Sequence, residues 1–418
     1  MAQAREPEVL VIGAGPVGLV GALALTRNGI HVRVVDSQWR TGAHSYALAL
    51  HRSSVRLLER LGLNVRQQGY PIESIALYEG PELRAEVPFP RAEDGCPGLI
   101  VLRQDVFEGL LEQALRQQGA LVFWNQHVSD LVPERNAVRV TIDRREKQSL
   151  GYAVAHTEWV VSGTTQLTVP LVLAADGHRS RTRRGLAIEF PQVGPTEHYA
   201  VFECSCPEPL PNQVRVVLGP ETTDVLWPMP DGRCRWSFQM LDHAAAESSR
   251  MKQRLAVHVG DDAFPMLSEQ RFQELVHQRA PWFERNIGDI YWRIAVRFER
   301  RLASSLGRGR VWMAGDAAHI TGPAGMHSMN SGIREAVELA QLYTGVLREG
   351  HALSEFPDYE QKCLAEWRGL LGLTGRAGLQ PQTPEWVRHR PLNILDCLPA
   401  AGEERRQMAA QLGLSPSP

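Results

Sequence analysis

The chain has 418 residues, 43% of them hydrophobic and 22% charged, with a formal net charge of −2. These are the proportions of a soluble globular protein, long enough for two or three domains with a large core. The nearly neutral balance excludes a nucleic-acid binder that works through bulk positive charge.

The first residues, MAQAREPE, are polar and charged, so no secretory signal is expected and a cytoplasmic location is. Val9 to Leu25 is nearly all apolar or glycine. It is shorter than the ~20 residues of a membrane span, and its glycines fall at turn positions, so no span is expected. Val9 to Ile12 reads as a buried strand. Gly13, Gly15 and Gly18 then form G-x-G-x-x-G in the run GAGPVG, with Pro16 and Val17 at the start of a helix that runs to about Asn28 and stops at Gly29. A second strand, Ile30 to Val35, ends at Asp36. This is the pattern of a dinucleotide site. Gly13 permits the tight turn, Gly15 lets a pyrophosphate approach the backbone, and Gly18 lets helix and strand pack closely. Asp36 can accept hydrogen bonds from an adenosine ribose. At this point NAD and FAD are both open.

Further along, IVLRQDVFEGLLEQAL opens a helix near Asp105, with Arg103 and Gln104 on its N-terminal flank. Leu171 to Ala174 is a second apolar run that ends in a polar turn, Asp176-Gly177, followed by Ser180 and Arg183. From about Pro191 to Ile287, short alternating runs such as VRVVLG and RCRWSFQM, with the turns GPETTD and PMPDG, predict a mixed or antiparallel sheet. Trp227, Met229, Trp236, Phe238 and Met240 fall on two of its strands. They read either as an aromatic pocket or as the sheet's own core. The six cysteines include one C-x-C pair, Cys204 and Cys206, without a second pair or clustered histidines; free thiols and no metal site are expected.

Val311 to Ala314 is a third apolar run. It leads into Gly315-Asp316 and then a Gly/Pro-rich loop, the kind that lets a ligand come close to the backbone. A helix is expected from about Asn330 to Arg348, with Ile333, Val337, Ala340, Tyr343 and Leu347 as its core-facing stripe. From about Phe356 the chain reads as helical and then Pro-rich, with the end, LGLSPSP, expected to fray. No Ser-His-Asp order, H-E-x-x-H or paired-carboxylate pattern stands out.

Together, GAGPVG, ADGHRSRTR, and GRVWMAGDAAH followed by PAGMHSMNSGI resemble the three motifs of class A flavoprotein monooxygenases, the para-hydroxybenzoate hydroxylase-like family. The order matches and the resemblance covers most of the chain. It implies an α/β fold: a Rossmann-like, glutathione-reductase-type FAD-binding domain with an inserted mixed β-sheet substrate domain and C-terminal helices. The FAD-binding parts would be 1–75, 101–188 and 288–350, the substrate domain 76–100 and 189–287, and the C-terminal helical segment and tail 351–418. It also implies FAD as cofactor and O2 and an aromatic substrate, phenolic or polycyclic, hydroxylated through a C4a-hydroperoxyflavin. NAD(P)H would dock transiently on the FAD domain, since no second glycine fingerprint is present. Epoxidation, Baeyer–Villiger insertion, antibiotic inactivation and a non-catalytic FAD-holding role are the alternatives. A monomer and a homodimer are both open. The thioredoxin-like C-terminal domain of larger members is not expected, and the W-x-W-x-I-P segment of flavin halogenases is not found.

Carried over by position, Gly315 and Asp316 match the motif whose acid bonds the ribityl chain. Pro323 to Ser328, with Gly325, matches the segment beneath the isoalloxazine ring. Met329 and Asn330 open the helix whose N-terminus would favour negative charge on the reduced ring. Asp176 and Arg183 match the middle motif, and Arg103 with Gln104 a cofactor-contacting pair. Two departures stand out. Gly325-Met326-His327-Ser328 replaces the common Gly-Gly-Gln-Gly, leaving His327 as either a functional group or an ordinary buried or surface histidine. Tyr46 stands where an Arg often contacts the flavin, with Arg40 or His44 as substitutes.

Overall fold

The computed structural model describes residues 6–40, 48–150, 156–241, 256–258, 265–375 and 377–415. At its centre Val9–Ile12 is buried along its whole length, as a continuous apolar run must be when a parallel sheet is covered on both faces. It pairs in parallel with Leu171–Ala174 on one side and Val32–Val35 on the other, and Val311–Met313 adds beyond Leu171–Ala174. Val122–Phe123 and Gly307–Arg308 close the two edges of this six-stranded sheet; only Gly307–Arg308 is antiparallel.

Register decides what this sheet can do. Ile12 lies opposite Ala174, and Ala174 opposite Met313. Three strands therefore end at one level, and the turns after them leave the sheet side by side. In open α/β sheets, ligands bind beyond the carboxyl ends of the strands. The first helix, Pro16–Arg27, packs against the long helix His327–Thr344. That long helix begins three residues before the expected Asn330 and continues as a π-helical turn, Gly345–Glu349.

A second sheet of eight strands is mixed: 256–258, 290–298, 197–205, 233–240, 223–229, 213–218, 74–79 and 82–88, in that order across it. One internal pair, 213–218 with 74–79, is parallel; the others are antiparallel. Its extent differs from the expected 76–100 and 189–287. The strand Ile290–Phe298 belongs to this sheet, while Leu99–Val101 pairs elsewhere, with Ala49–His51 and Tyr70–Ile72. One face carries Phe202, Trp236 and Phe238 against Phe272 and Phe283, under the helix Glu269–Arg279. The other face carries Trp227 and Met229 against C-terminal residues such as Leu395, Leu398 and Met408.

Up to Ser415 the chain is therefore not the loose tail that LGLSPSP predicts; Pro416 to Pro418 lie outside the described residues. Leu412 and Leu414 are buried, and Leu414–Ser415 pairs with Gly378–Leu379. Apolar side chains with a sheet face to cover override the Gly/Pro signal up to Ser415. All six cysteines are unpaired thiols and buried. Among the described residues, no helix is long and apolar enough to cross a membrane.

Candidate functional site

A cavity of about 620 Å³ opens beyond the carboxyl ends of the central strands. All three turns contribute to its wall: Gly15, Pro16 and Val17 from the first, Ala175 and Gly177 from the second, Ala314 and Asp316 from the third. Pro323, Met326 and Met329 close one side. The glycine fingerprint divides into two kinds of position. A Cβ on Gly13, which has φ +103°, would collide with the backbone of Ala175, and one on Gly18 with the carbonyl of Gly13. A Cβ on Gly15 would meet nothing within 4 Å. Gly13 and Gly18 thus bring backbone segments together, while Gly15 leaves the space a pyrophosphate would fill, at the N-terminus of Pro16–Arg27.

Polar atoms at this cavity also fit a polar ligand. Thr321 Oγ1 and His178 Nε2, on residues of its wall, and Asp176 Oδ1 beside it are buried without hydrogen-bond partners among the described residues. Asp36 Oδ2 accepts the Ala14 N–H at 2.6 Å and Oδ1 the Gln38 N–H at 2.7 Å, which orients the carboxylate toward the turn. Asp316 is exposed to the open space of the cavity. Desolvation by the protein packed around that space pushes its carboxyl pKa up, against the pull of His319, with Glu335 adding to the rise. Behind it, Glu335 Oε2 accepts from Gly315 N–H at 3.0 Å and bonds His319 Nε2 at 2.7 Å, while Oε1 accepts from Trp367 Nε1 at 2.9 Å. This buried cluster fixes the Gly315-Asp316 turn; Gly315 and His319 belong to the late motif, whereas nothing in the sequence marked Glu335 or Trp367.

Other expected contacts are committed elsewhere. Arg183 is buried, donates to Ala317 O at 2.7 Å and His178 O at 2.9 Å, and lies over the Phe190 ring, so it ties the middle turn to the late one rather than lining the cavity. Burial lowers its pKa to about 10. Asp176 Oδ2 accepts from Arg181 N–H, Thr182 N–H and Thr182 Oγ1–H. Arg103 forms a fork with Asp105, at 3.1 and 2.9 Å, and its neighbour Gln104 reaches the wall instead. Asn330 is buried. It accepts from His51 N–H at 2.8 Å and donates to Ala49 O and Met326 O, which clamps the loop to the strand Ala49–His51. Gln38, Arg179, Arg297 and Phe298 line the cavity without having been expected there. Arg40 lies over Trp39; Tyr46 and His44 are outside the described residues.

Of the departures in the late loop, Met326 is half-buried on the cavity wall and His327 is buried. Met326 caps the long helix at φ +53°, a left-handed conformation that glycine adopts without strain. His327 is a core histidine: its Nε2 lies 3.2 Å from Asp396 O, so it donates there, and its ring meets the edge of His51. Burial drives its pKa down to about 3, which keeps it neutral.

A second cavity, about 490 Å³, lies between the eight-stranded sheet and the C-terminal helices. It shares Gly322 and Pro323 with the first. Glu197, Tyr199, Arg300, Asp396 and Arg405 stand on its wall. Arg300 bridges Glu197 at 3.2 Å and Asp396 at 2.6 Å. Trp227, Met229, Trp236, Phe238 and Met240 line neither cavity. Trp236 is register-paired with Leu226 and Trp227 with Arg235, so the five divide between opposite faces and serve as sheet core. The residues that do line the space come from strand starts, loops and C-terminal helices, which carry no local pattern.

Comparison with known proteins agrees with this layout. The FAD binding domain family matches residues 6–371. The chain is 27% identical over 366 residues to 6-methylpretetramide 4-monooxygenase of Streptomyces rimosus, covering 85% of this chain but 58% of that protein. It is 24% identical over 360 residues to para-nitrophenol 4-monooxygenase of Pseudomonas sp. (strain WBC-3), covering 84% and 81%. Among solved structures, p-nitrophenol 4-monooxygenase from Pseudomonas putida DLL-E4 superposes with a TM-score of 0.70 at 21% identity, covering 97% of this chain and 96% of the other. Aklavinone-11 hydroxylase, solved with FAD and aklavinone, superposes with a TM-score of 0.66 at 22% identity, covering 88% and 68%. At these identities the structural likeness speaks for the fold.

Proposed function

Because the chain belongs to the FAD binding domain family of the class A flavoprotein hydroxylases, we propose that it is an FAD- and NAD(P)H-dependent monooxygenase that hydroxylates a phenolic or polycyclic aromatic compound. The observation that carries this reading is the meeting of two cavities at Gly322 and Pro323, one bounded by three nucleotide-type turns and the other by the mixed sheet. Relatives named for 6-methylpretetramide and for para-nitrophenol support the substrate class.

Bound in the first cavity, FAD would supply electron transfer from NAD(P)H to O2 and oxygen transfer to the ring. The chain's own residues do the rest. The turn Gly13-Ala14-Gly15 and the helix start at Pro16 and Val17 would hold the pyrophosphate, with Gly18 keeping that helix close. Asp36 would take the adenosine ribose and Asp316 the ribityl chain. Pro323, Gly325, Met329 and Asn330 would set the loop on which the flat ring lies. Asp176, Arg183 and Gly315 act through the turns they brace, and Arg103 through the helix start it flanks. Enclosure by the C-terminal helices would exclude water from the acceptor space, which limits wasteful reduction of O2.

The test is anaerobic. FAD-loaded protein is mixed with NADPH or NADH, with and without a panel of phenols and fused-ring aromatics, and the yellow flavin absorbance is followed. Bleaching accelerated by a compound, and then label from heavy O2 in that compound on admitting oxygen, is the expected result. A flavin that stays oxidised under every combination sinks the proposal.

A further inference from the structure

The two oxygens of Glu197 are unequal. Oε1 accepts from Arg300 Nε at 3.3 Å and Nη2 at 3.2 Å. Among the described residues, Oε2 has only a long contact, 3.4 Å, from the Tyr199 hydroxyl. A carboxylate oxygen can accept two good hydrogen bonds, so Oε2 keeps spare capacity. It also points at the seam: a Cβ built on Gly322, one of the two residues shared by both cavities, would stand 3.0 Å from it. Resting on the aromatic-hydroxylase reading above, we propose that Glu197 Oε2 receives the hydroxyl proton of a phenolic substrate at the cofactor edge, and that this site selects the neutral, hydroxyl-bearing form.

The transfer is a plain proton move. The O–H bond of the phenol breaks, its electron pair stays on the phenol oxygen, and the proton goes to Oε2. Arg300 then stands next to the new oxyanion, while Asp396 Oδ2 accepts from the same Nη2 that reaches Glu197, at 2.6 Å. One proton is shared by phenol and carboxyl, so the pair titrates as a unit. Burial raises the Glu197 pKa, partly offset by Arg300, with Asp396 adding to the rise, which makes the carboxylate a stronger base than an exposed one. The other ionisable groups on this wall are Tyr199 from the same strand, Glu221 from a sheet turn, and Cys397 and Arg405 from the C-terminal helices. Burial pushes the Tyr199 and Cys397 pKa values well up, so both stay protonated. Arg405 Nε and Nη2 are spent on Leu395 O.

The experiment titrates FAD-loaded full chain with 4-nitrophenol at pH values spanning that compound's own ionisation. Phenolate colour reports its bound state and flavin fluorescence its affinity. The wild type is expected to bind the neutral form and to lose affinity as the free phenol ionises. E197Q, in which Arg300 faces the ligand without its carboxylate, is expected to reverse that order by about tenfold or more, the factor of one pKa unit. D396N also removes a charge from Arg300 but leaves Oε2 in place, and is expected to keep the wild-type order. Should E197Q fail to fold, G322A decides: its methyl crowds Oε2 and should weaken neutral-form binding several-fold at equal FAD content. If E197Q, or in its stead G322A, matches the wild-type profile at equal FAD content, the role of Glu197 is wrong while the phenol cavity stands. If FAD-loaded wild type binds no 4-nitrophenol at all, the acceptor-cavity reading falls and this inference with it.

Discussion

The two cavities share Gly322 and Pro323 but are built by opposite means. The first is bounded by turns that follow three strands in register, where backbone is packed on backbone at Gly13 and Gly18. The second is bounded by the sheet and later parts of the chain, with the side chains of Glu197, Arg300 and Asp396 brought together on its wall. Backbone walls constrain residue type, because only glycine lets main chains approach so closely. Side-chain walls constrain only shape and charge, which many residues at many positions can satisfy. The first kind of site leaves a spaced signature; the second does not.

The largest effect should come from the sheet core. Trp236 is fully buried, stacked on Phe238 at 4.7 Å and edge-on to Phe283 at 5.4 Å. Trp236→Ala should cost about 3–5 kcal/mol in urea unfolding, as large aromatic truncations do. Affinity for FAD should be unchanged in whatever protein remains folded, since the side chain lines neither cavity. A Trp236→Ala protein that is as stable as wild type but has lost phenol binding would return this residue to a pocket role and break the contrast.

The next test separates two glycines of one fingerprint. Gly18→Ala drives a methyl into the carbonyl of Gly13, backbone against backbone. It should destabilise the protein even without cofactor, by about 1–3 kcal/mol. Gly15→Ala meets nothing within 4 Å; its urea midpoint without cofactor should match wild type, while FAD binding weakens. Equal loss of stability in both variants would mean that the open space at Gly15 is not reserved for a ligand.

These contrasts explain what the sequence made legible. Val9 to Ile12, the tight turn at Gly13 with the close packing at Gly18, and the Gly315-Asp316 turn could be read because strand, turn and helix each impose a local pattern. The even choice at Trp227 and Trp236 could not be resolved, because alternation assigns a residue to a face but not what covers that face. Glu197, Arg300 and Asp396 were not foreseen. They are 103 and 96 residues apart in pairs, and nothing near any of them marks it as part of a cluster. Arg183 shows the opposite error. Its motif was recognised, but the side chain braces the turn through Ala317 O instead of reaching the cavity wall.

The smallest predicted effect concerns the loop that joins the two cavities. His327 is buried with its Nε2–H on Asp396 O, and its pKa is held near about 3 by burial and by the charge of Arg405. In the unfolded chain it would titrate near ~6.5. Between those values the unfolded chain binds a proton that the fold refuses, so stability falls as pH drops from ~6.5 toward about 3. The slope is about 1.4 kcal/mol per pH unit for one such group. Above ~6.5 both states are neutral, and this source of pH dependence disappears. His51, also driven to the neutral form by burial and by His327, adds a parallel slope. His327→Gln keeps a donor for Asp396 O but cannot titrate. Its deficit against wild type, whatever it is at neutral pH, should therefore shrink as the pH is lowered. Urea midpoints for both proteins at several pH values between neutral and mildly acidic decide it. Parallel curves would mean that His327 can take up a proton in the folded protein, and that the loop joining the two cavities carries a titratable group after all.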